Sequence, residues 1–391
     1  MGQFFTRERF GQPQALAGLL LLIFLAECLW LVNRELSFAE FAPGEQERIE
    51  SGVHQWQGEG IAGVGTGQSD PHHSPLWYLV GSAPIWARGG RIEPTRSTIW
   101  IARAPYIVFG LLLGASLWYV SRRLYGNAGG FIALTLYCFS PGILRSATLW
   151  MAQPEMGAAW GSFGAVFTAI AVSHTLYAPR EVILWNWRRI VLLGTSLALA
   201  VGSQFSLIVL VPMALAFMLY VAHKRRAAAL GIWAAACVVA LLLLAAAYGF
   251  NFQAMRQSFR HADWLGISWM AYGMGGAYLQ VLQNLGQNSL ALVIAVPAAL
   301  VVYVAWPRAR YFGNTAPLIV VALFLVLGVG MPHTPGLGFQ LMALPFLFVF
   351  VSGVIADLLE TRYRHMVAAT TGGLLASSAL LNLVLLSRLG A

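Results

Sequence analysis

The sequence predicts an all-α protein that crosses a membrane about eleven times. Three observations predict it. Of 391 residues, 58% are apolar and 10% charged, where a soluble domain carries roughly 25% charged residues; the mean hydropathy is +0.68. Apolar runs near the ~20 residues that a helix needs to cross a bilayer recur along the whole chain. Basic residues stand between those runs as pairs and triplets: Arg7/Arg9, Arg122/Arg123, Arg180/Arg188/Arg189, Lys224/Arg225/Arg226, Arg308/Arg310 and Arg362/Arg364. The net charge of +9 is therefore carried by loops, and no basic face or tract suits a nucleic acid.

Taken in order, the runs fall at about 14–32, 98–120, 128–146, 156–176, 190–205, 207–222, 229–249, 288–306, 316–331, 339–358 and 366–387. The first follows Arg7 and Arg9 and lacks a small-residue cleavage site, so it reads as a retained signal-anchor span. Gly202-Ser203-Gln204 is the single break between the fifth and sixth. Leu76–Trp86 is too short to span and belongs at the interface. With eleven spans, all six basic loops fall on one side, which the positive-inside bias makes cytoplasmic. The N-terminus is then inside, in a multi-pass inner-membrane protein. Residues 1–391 form one transmembrane domain with two long outward segments, 33–97 and 250–287.

The first outward segment is the polar centre of the chain. With its flanks Glu35 and Glu93 it holds eight of the fifteen acidic residues, and it holds three of the eight histidines, His54, His72 and His73. A polar, Gly-rich stretch of this length between spans lines a site or a partner surface. Cys28, Cys138 and Cys237 all lie in apolar runs without a CxxC or Cys/His cluster, which suits buried thiols rather than a disulfide framework or zinc. Asp70, His72, His73 and His54 present donors suited to a divalent metal, without the spacing that would fix one; no cofactor is otherwise implied. Glu27, inside the first span, is costly in hydrocarbon and marks either a functional group or a protonated, hydrogen-bonded one.

At GEQERIESGVHQW and DPHHSPLWYLVGSAPI the chain resembles the multi-pass glycosyltransferases of the C-type fold, the protein O-mannosyltransferase and lipid A aminoarabinose-transferase-like group. Bacterial members carry Asp-Glu-x-x-His-Ile-x-x-Gly after the first span and His-Pro-Pro-Leu before an interfacial helix. Glu45, Ile49 and Gly52 match the first pattern; His73, Pro75 and Leu76 match the second. Arg122-Arg123-Leu124-Tyr125-Gly126, Ser140-Pro141, Trp187-Arg188-Arg189 and Leu344-Pro345-Phe346 continue the likeness over about residues 14–360. The resemblance implies a sugar donor on a polyprenyl phosphate, with the phosphate at the outer leaflet. It further implies a carboxylate base in the first outer segment and basic residues on the leaving phosphate.

The departures bear on the chemistry. Gly44 stands where the pattern has its catalytic Asp, and in the alternative register Ala39 precedes Glu40. The family's Asp after the third span falls near Gln153, with Glu155 two residues on, and Gly338-Phe339 replaces an Arg-Tyr. The carboxylates left for base catalysis are Glu45, Glu40 and Glu155. Against this stand a solvated helix face for Glu45, Glu47 and Glu50, and a first-turn, dipole-favoured place for Glu155 after Pro154. Arg145, Arg256 and Arg260 are the candidate phosphate clamps, since a guanidinium matches phosphate oxygens; snorkelling to headgroups is the alternative. His73 and His333 complete the expected donor site.

Two functions follow from the resemblance and its departures. One is a membrane glycosyltransferase moving a sugar from a polyprenyl-phosphate donor to an outward-facing acceptor. The other is a catalytically inactive relative, a pseudoenzyme, that serves as a membrane scaffold or as a subunit beside other membrane proteins. A small-molecule transporter ranks below both, because no internal repeat and no aligned intramembrane charges are visible. Membrane lipids are partners in every case.

Overall fold

The computed structural model describes residues 12–35, 45–58, 72–93, 95–148, 155–177, 187–331 and 338–388. Among these the ordered elements are helical and no strand occurs, because the bilayer leaves backbone polar groups no partner except within a helix. The helices are α1 (Gln12–Glu35), α2 (Glu45–Trp56), α3 (Pro75–Trp86), α4 (Arg96–Cys138), α5 (Pro141–Thr148), α6 (Glu155–Thr175), α7 (Trp187–Ser203), α8 (Leu210–Val221), α9 (Arg226–Ala247), α10 (Phe252–His261), α11 (Gly275–Asn288), α12 (Leu292–Ala305), α13 (Phe312–Gly330), α14 (Gly338–Leu359) and α15 (Arg364–Arg388). A 3-10 turn, Phe205–Val209, leads into α8.

Among the described residues seven helices are long and apolar enough to cross a bilayer, or eight if α11 and α12, bent by 111°, count as one broken span. Length and apolar character thus certify fewer spans than the eleven expected, and the difference lies in two places. α7 has 17 residues and Phe205–Val221 is likewise a shorter apolar stretch. α4, at 43 residues, would be about 65 Å long if straight, twice the hydrocarbon thickness. It is instead folded back on itself. Gly126 has φ 75° and ψ −172°, Tyr137 Oη donates to the Gly110 carbonyl at 2.5 Å, and Gly130 lies against Arg122 and Trp118. Contacts whose residue numbers converge on 126 from both sides define an antiparallel hairpin. Only glycine adopts that φ/ψ region freely, so Gly126→Ala should cost about 1–3 kcal/mol, read as lowered resistance of the purified protein to SDS unfolding.

The packing has a centre and a rim. Every residue of α14 from Gly338 to Val354 is buried, with Phe346 stacked on Phe167 of α6 at 5.8 Å and Phe348 edge-on to Tyr137 of α4. At the rim, α15 buries among its residues only Ser378, Asn382 and Leu386, one stripe at a spacing of four. Leu374 and Leu375 are half-buried against the core, while Leu380, Leu381, Leu383, Val384 and Leu385 are exposed, as suits a helix with one face towards lipid. α6 and α7 are the tightest pair. A Cβ on Gly161 would stand 2.5 Å from the Ala200 amide nitrogen and 2.8 Å from the Ser196 carbonyl oxygen. Small residues allow this backbone approach where no aqueous hydrophobic effect drives helices together.

The turns between helices gather at two poles. At one, Tyr125 Oη donates to the Gly313 carbonyl at 2.7 Å, Tyr177 Oη to Val221 at 3.3 Å, and Arg308 pairs with Glu360 at 3.2 Å. This pole collects the turns of Arg122/Arg123, Lys224–Arg226, Arg308/Arg310 and Arg362/Arg364. Here Asn314 Nδ2 and Tyr311 Oη both donate to Asp357, at 3.0 and 3.3 Å. Burial, and then the adjacent Asp357 carboxylate, hold the Tyr311 phenol well above its usual range, so it remains a donor at physiological pH. The opposite pole carries α2, α3 and α10 and contains the candidate site.

Candidate functional site

The second pole is built by strapping the polar segments onto span ends. Asn33 Oδ1, at the end of α1, accepts from Arg96 and Trp100 of α4 at 3.3 and 3.2 Å. The Ser74 hydroxyl caps α3 and donates to the Gly202 carbonyl at 2.8 Å, while the Phe205 amide donates to His72 at 2.9 Å. The break at Gly202-Ser203-Gln204 is therefore where residues 72–74 dock. Phe205 packs in turn on Phe259 and Trp264, at 5.7 and 5.2 Å. His72 Nδ1 lies 3.9 Å from Asp263 Oδ2. The two long polar segments of the sequence thus meet.

α2 and α3 close on α4 around a buried ion pair. Glu45, first residue of α2, faces Arg103 of α4. Arg103 Nη2 donates to Oε2 at 3.2 Å and Nε to Oε1 at 3.4 Å, with side-chain exposures of 5% and 3% for Arg103 and Glu45. A two-pronged guanidinium–carboxylate contact fixes orientation as well as charge. Gly52 lets α2 approach the Tyr78 carbonyl of α3, and Ile49 and Val53 pack on Ile85 and Ala102. A cavity of about 20 Å³ remains between Glu45, Arg48, Trp77 and Tyr106, room for about one water. Among the described residues, Arg48 Nη1 is buried there without a hydrogen-bond partner.

Of the solvated face expected for Glu45, Glu47 and Glu50, Glu47 is exposed and Glu50 half-buried, whereas Glu45 is buried with its two oxygens facing Arg103. Glu155 does open a helix, as its place after Pro154 predicts, but it is buried (4% exposed). It accepts a 2.9 Å hydrogen bond from Ser146 of α5. Arg145, the neighbour of Ser146, is half-buried; Arg256 and Arg260 are exposed, one turn apart on α10. His73 is buried beside the strapped segment. Glu40, Asp70 and His333 lie outside the described residues. Among those described, no group of three His, Cys, Asp or Glu side chains is close enough to hold a metal. Glu27 is buried and its carboxyl has no hydrogen-bond partner among the described residues.

Sequence reasoning missed Arg103. The signal was present, since an arginine inside the apolar run ARAPYIVFG needs a partner in hydrocarbon as much as Glu27 does. The partner is 58 positions away, which no local pattern reveals. The contact between His72 and Asp263 was likewise out of reach.

No protein-family model and no curated protein sequence matches the chain. Solved structures do. ArnT from Cupriavidus metallidurans in the apo state aligns over 91% of this chain and 63% of its own, with a TM-score of 0.60 and 14% identity. The same protein bound to undecaprenyl phosphate aligns over 89% and 62%, at 0.58 and 14%. The archaeal oligosaccharyltransferase AglB from Archaeoglobus fulgidus, in complex with an inhibitory peptide and a dolichol-phosphate, aligns over 94% and 55%, at 0.56 and 11%. This chain has the C-type fold of membrane glycosyltransferases. It is a multi-pass membrane protein and spans 55 to 63% of the length of the similar structures just described.

Proposed function

We propose that this protein is a membrane glycosyltransferase that takes a sugar from a polyprenyl-phosphate carrier and gives it to an acceptor at the pole formed by α2, α3 and α10. The observation that carries the proposal is the alignment of nearly the whole chain with a fold that binds undecaprenyl phosphate in one similar protein and a dolichol-phosphate in another. The positive-inside bias makes the basic pole cytoplasmic and this pole outward, in an inner membrane with the N-terminus inside.

In the proposed reaction an acceptor hydroxyl or amine attacks the sugar's anomeric carbon. The bond from that carbon to the phosphate oxygen breaks, its electron pair leaves with the polyprenyl phosphate, and a carboxylate takes the acceptor's proton. Glu155 is the favoured base among the described residues. It accepts from the Ser146 hydroxyl, next in sequence to Arg145, whereas both oxygens of Glu45 face the Arg103 guanidinium. Arg145, adjacent to Ser146, neutralises charge on the leaving phosphate, with Arg256 and Arg260 as an outer clamp. Glu45 and Arg103 set α2 against α4, and Glu40, His73 and His333 remain to be tested in the same assay.

A purified chain supplied with a polyprenyl-phosphate sugar should bind and transfer it. Glu155→Gln should lower turnover by about 10²–10⁴-fold with donor binding retained, and Arg145→Ala should weaken donor binding. The occupied state of Glu45 and the burial of Glu155 favour a second reading, a non-catalytic relative acting as scaffold or subunit. Neither binding nor transfer by the native chain, with other membrane proteins co-purifying stoichiometrically, would establish that reading and end the first.

A further inference from the structure

We propose that the basic pole carries a binding site for the headgroup of an anionic phospholipid, in a recess between α6, α8, α9 and α13. The site is at the end of the molecule opposite the proposed transfer chemistry and does not depend on it. The recess has a volume of about 530 Å³, within the ~300–1,000 Å³ typical of ligand pockets. His174, His223 and Arg226 line one part of it, and Leu219, Tyr220 and Phe312 another. Polar donors and an apolar wall in one recess match a ligand that is itself divided, a phosphate ester attached to a hydrocarbon body.

The wall is pre-formed. Tyr220 and Phe312 stack with centroids 5.3 Å apart and planes 20° apart, yet Tyr220 is 69% exposed, so a broad aromatic surface is left uncovered at the end of α8. The cationic turn is held in place as well. Tyr177 Oη donates to the Val221 carbonyl and accepts from the Lys224 amide, each at 3.3 Å, which fixes the turn from which Lys224, Arg225 and Arg226 project, all exposed.

Charge complementarity selects an anion. Among the described residues no carboxylate lines the recess, and the acidic groups of this pole are engaged elsewhere. Asp357 accepts from Asn314 and Tyr311, and Glu360 pairs with Arg308. Position selects a lipid over a free anion. The recess lies at the turn that joins the apolar helices α8 and α9 and is lined by exposed Tyr220, and each cation near a membrane surface contributes about 1 kcal/mol towards an anionic lipid. A zwitterionic headgroup would bring an ammonium to the same cations.

The test is native mass spectrometry of the full chain in mild detergent, titrated with phosphatidylglycerol, phosphatidylcholine or inorganic phosphate. Phosphatidylglycerol should be retained as a discrete adduct and phosphatidylcholine should not. Arg226→Gln should weaken retention about fivefold, the equivalent of one surface cation. Tyr220→Ala should weaken it without a change of charge. Arg226 is exposed at the first position of α9, where the helix dipole disfavours a cation, so its replacement leaves folding intact. Arg364→Gln, at the same pole and away from the recess, should have no effect. Equal retention of both lipids would overturn the proposal, as would an equal loss in Arg364→Gln. Displacement by millimolar inorganic phosphate would assign the recess to a free anion and overturn it too.

Discussion

Replacing Arg103 with alanine should destabilise the protein by about 3–5 kcal/mol, because it takes a two-pronged guanidinium contact away from the buried Glu45 carboxylate. The pair lies between α2 and α4 with both side chains almost wholly covered, so water cannot take the place of the guanidinium without opening the helix junction. The loss is to be measured as equilibrium unfolding in mixed detergent micelles. Glu45→Gln should also be destabilising, because it removes the carboxylate that the buried Arg103 guanidinium faces. The double variant Glu45→Gln/Arg103→Met removes both charges and should recover much of the loss, since well-packed neutral replacements of a buried pair are often tolerated. A single variant Arg103→Ala within about 1 kcal/mol of the native chain would mean that the pair is solvated in the membrane-bound protein. The double variant also separates structure from chemistry: stable protein that still transfers sugar assigns Glu45 a positioning role, and stable protein that has lost transfer returns it to the reaction.

Gly161→Ala should have a comparable effect for a different reason. Its added methyl would meet backbone atoms of α7, the Ala200 nitrogen at 2.5 Å and the Ser196 oxygen at 2.8 Å. Backbone cannot rotate aside as a side chain does, so α6 and α7 must separate along a contact that Gly157 and Gly164 also make close. We expect about 3 kcal/mol, at the upper end for overpacking. Gly231→Ala on α9 is the control. Nothing lies within 4 Å of the added atom, and alanine favours a helix over glycine by up to about 1 kcal/mol. Unfolding should therefore show opposite signs for the two substitutions; the same sign for both would place the α6–α7 interface elsewhere.

The membrane character, the helical class and the grouping of basic turns were legible in the sequence, because each depends on local properties: run length, hydropathy and loop charge. The break at Gly202-Ser203-Gln204 was legible for the same reason, as was Glu155 at the start of its helix. Gly126 was visible as part of a family-like motif, and its backbone conformation explains why the chain reverses there. The number of certified spans was less secure. An apolar run does not state whether it forms one continuous helix, as in α13, or bends by 111° between α11 and α12. That choice is made by neighbours, here by Ser140, whose hydroxyl donates to the Asn288 carbonyl at 2.6 Å.

What the sequence determined by itself is the environment each segment needs: hydrocarbon for the apolar runs and partners for the charges. What only the tertiary structure decided is which partner each received. Glu45, read as a base or as part of a solvated helix face, is buried against Arg103. Arg145 and Glu155 came to share a corner through Ser146, and His72 met Asp263 across nearly two hundred residues. The physical reason is that burial fixes how strongly a polar group needs a partner, which a linear pattern records. The identity of the partner is fixed by helix packing, through contacts such as Gly161 on Ala200 and Gly52 on Tyr78, which only the folded chain brings together.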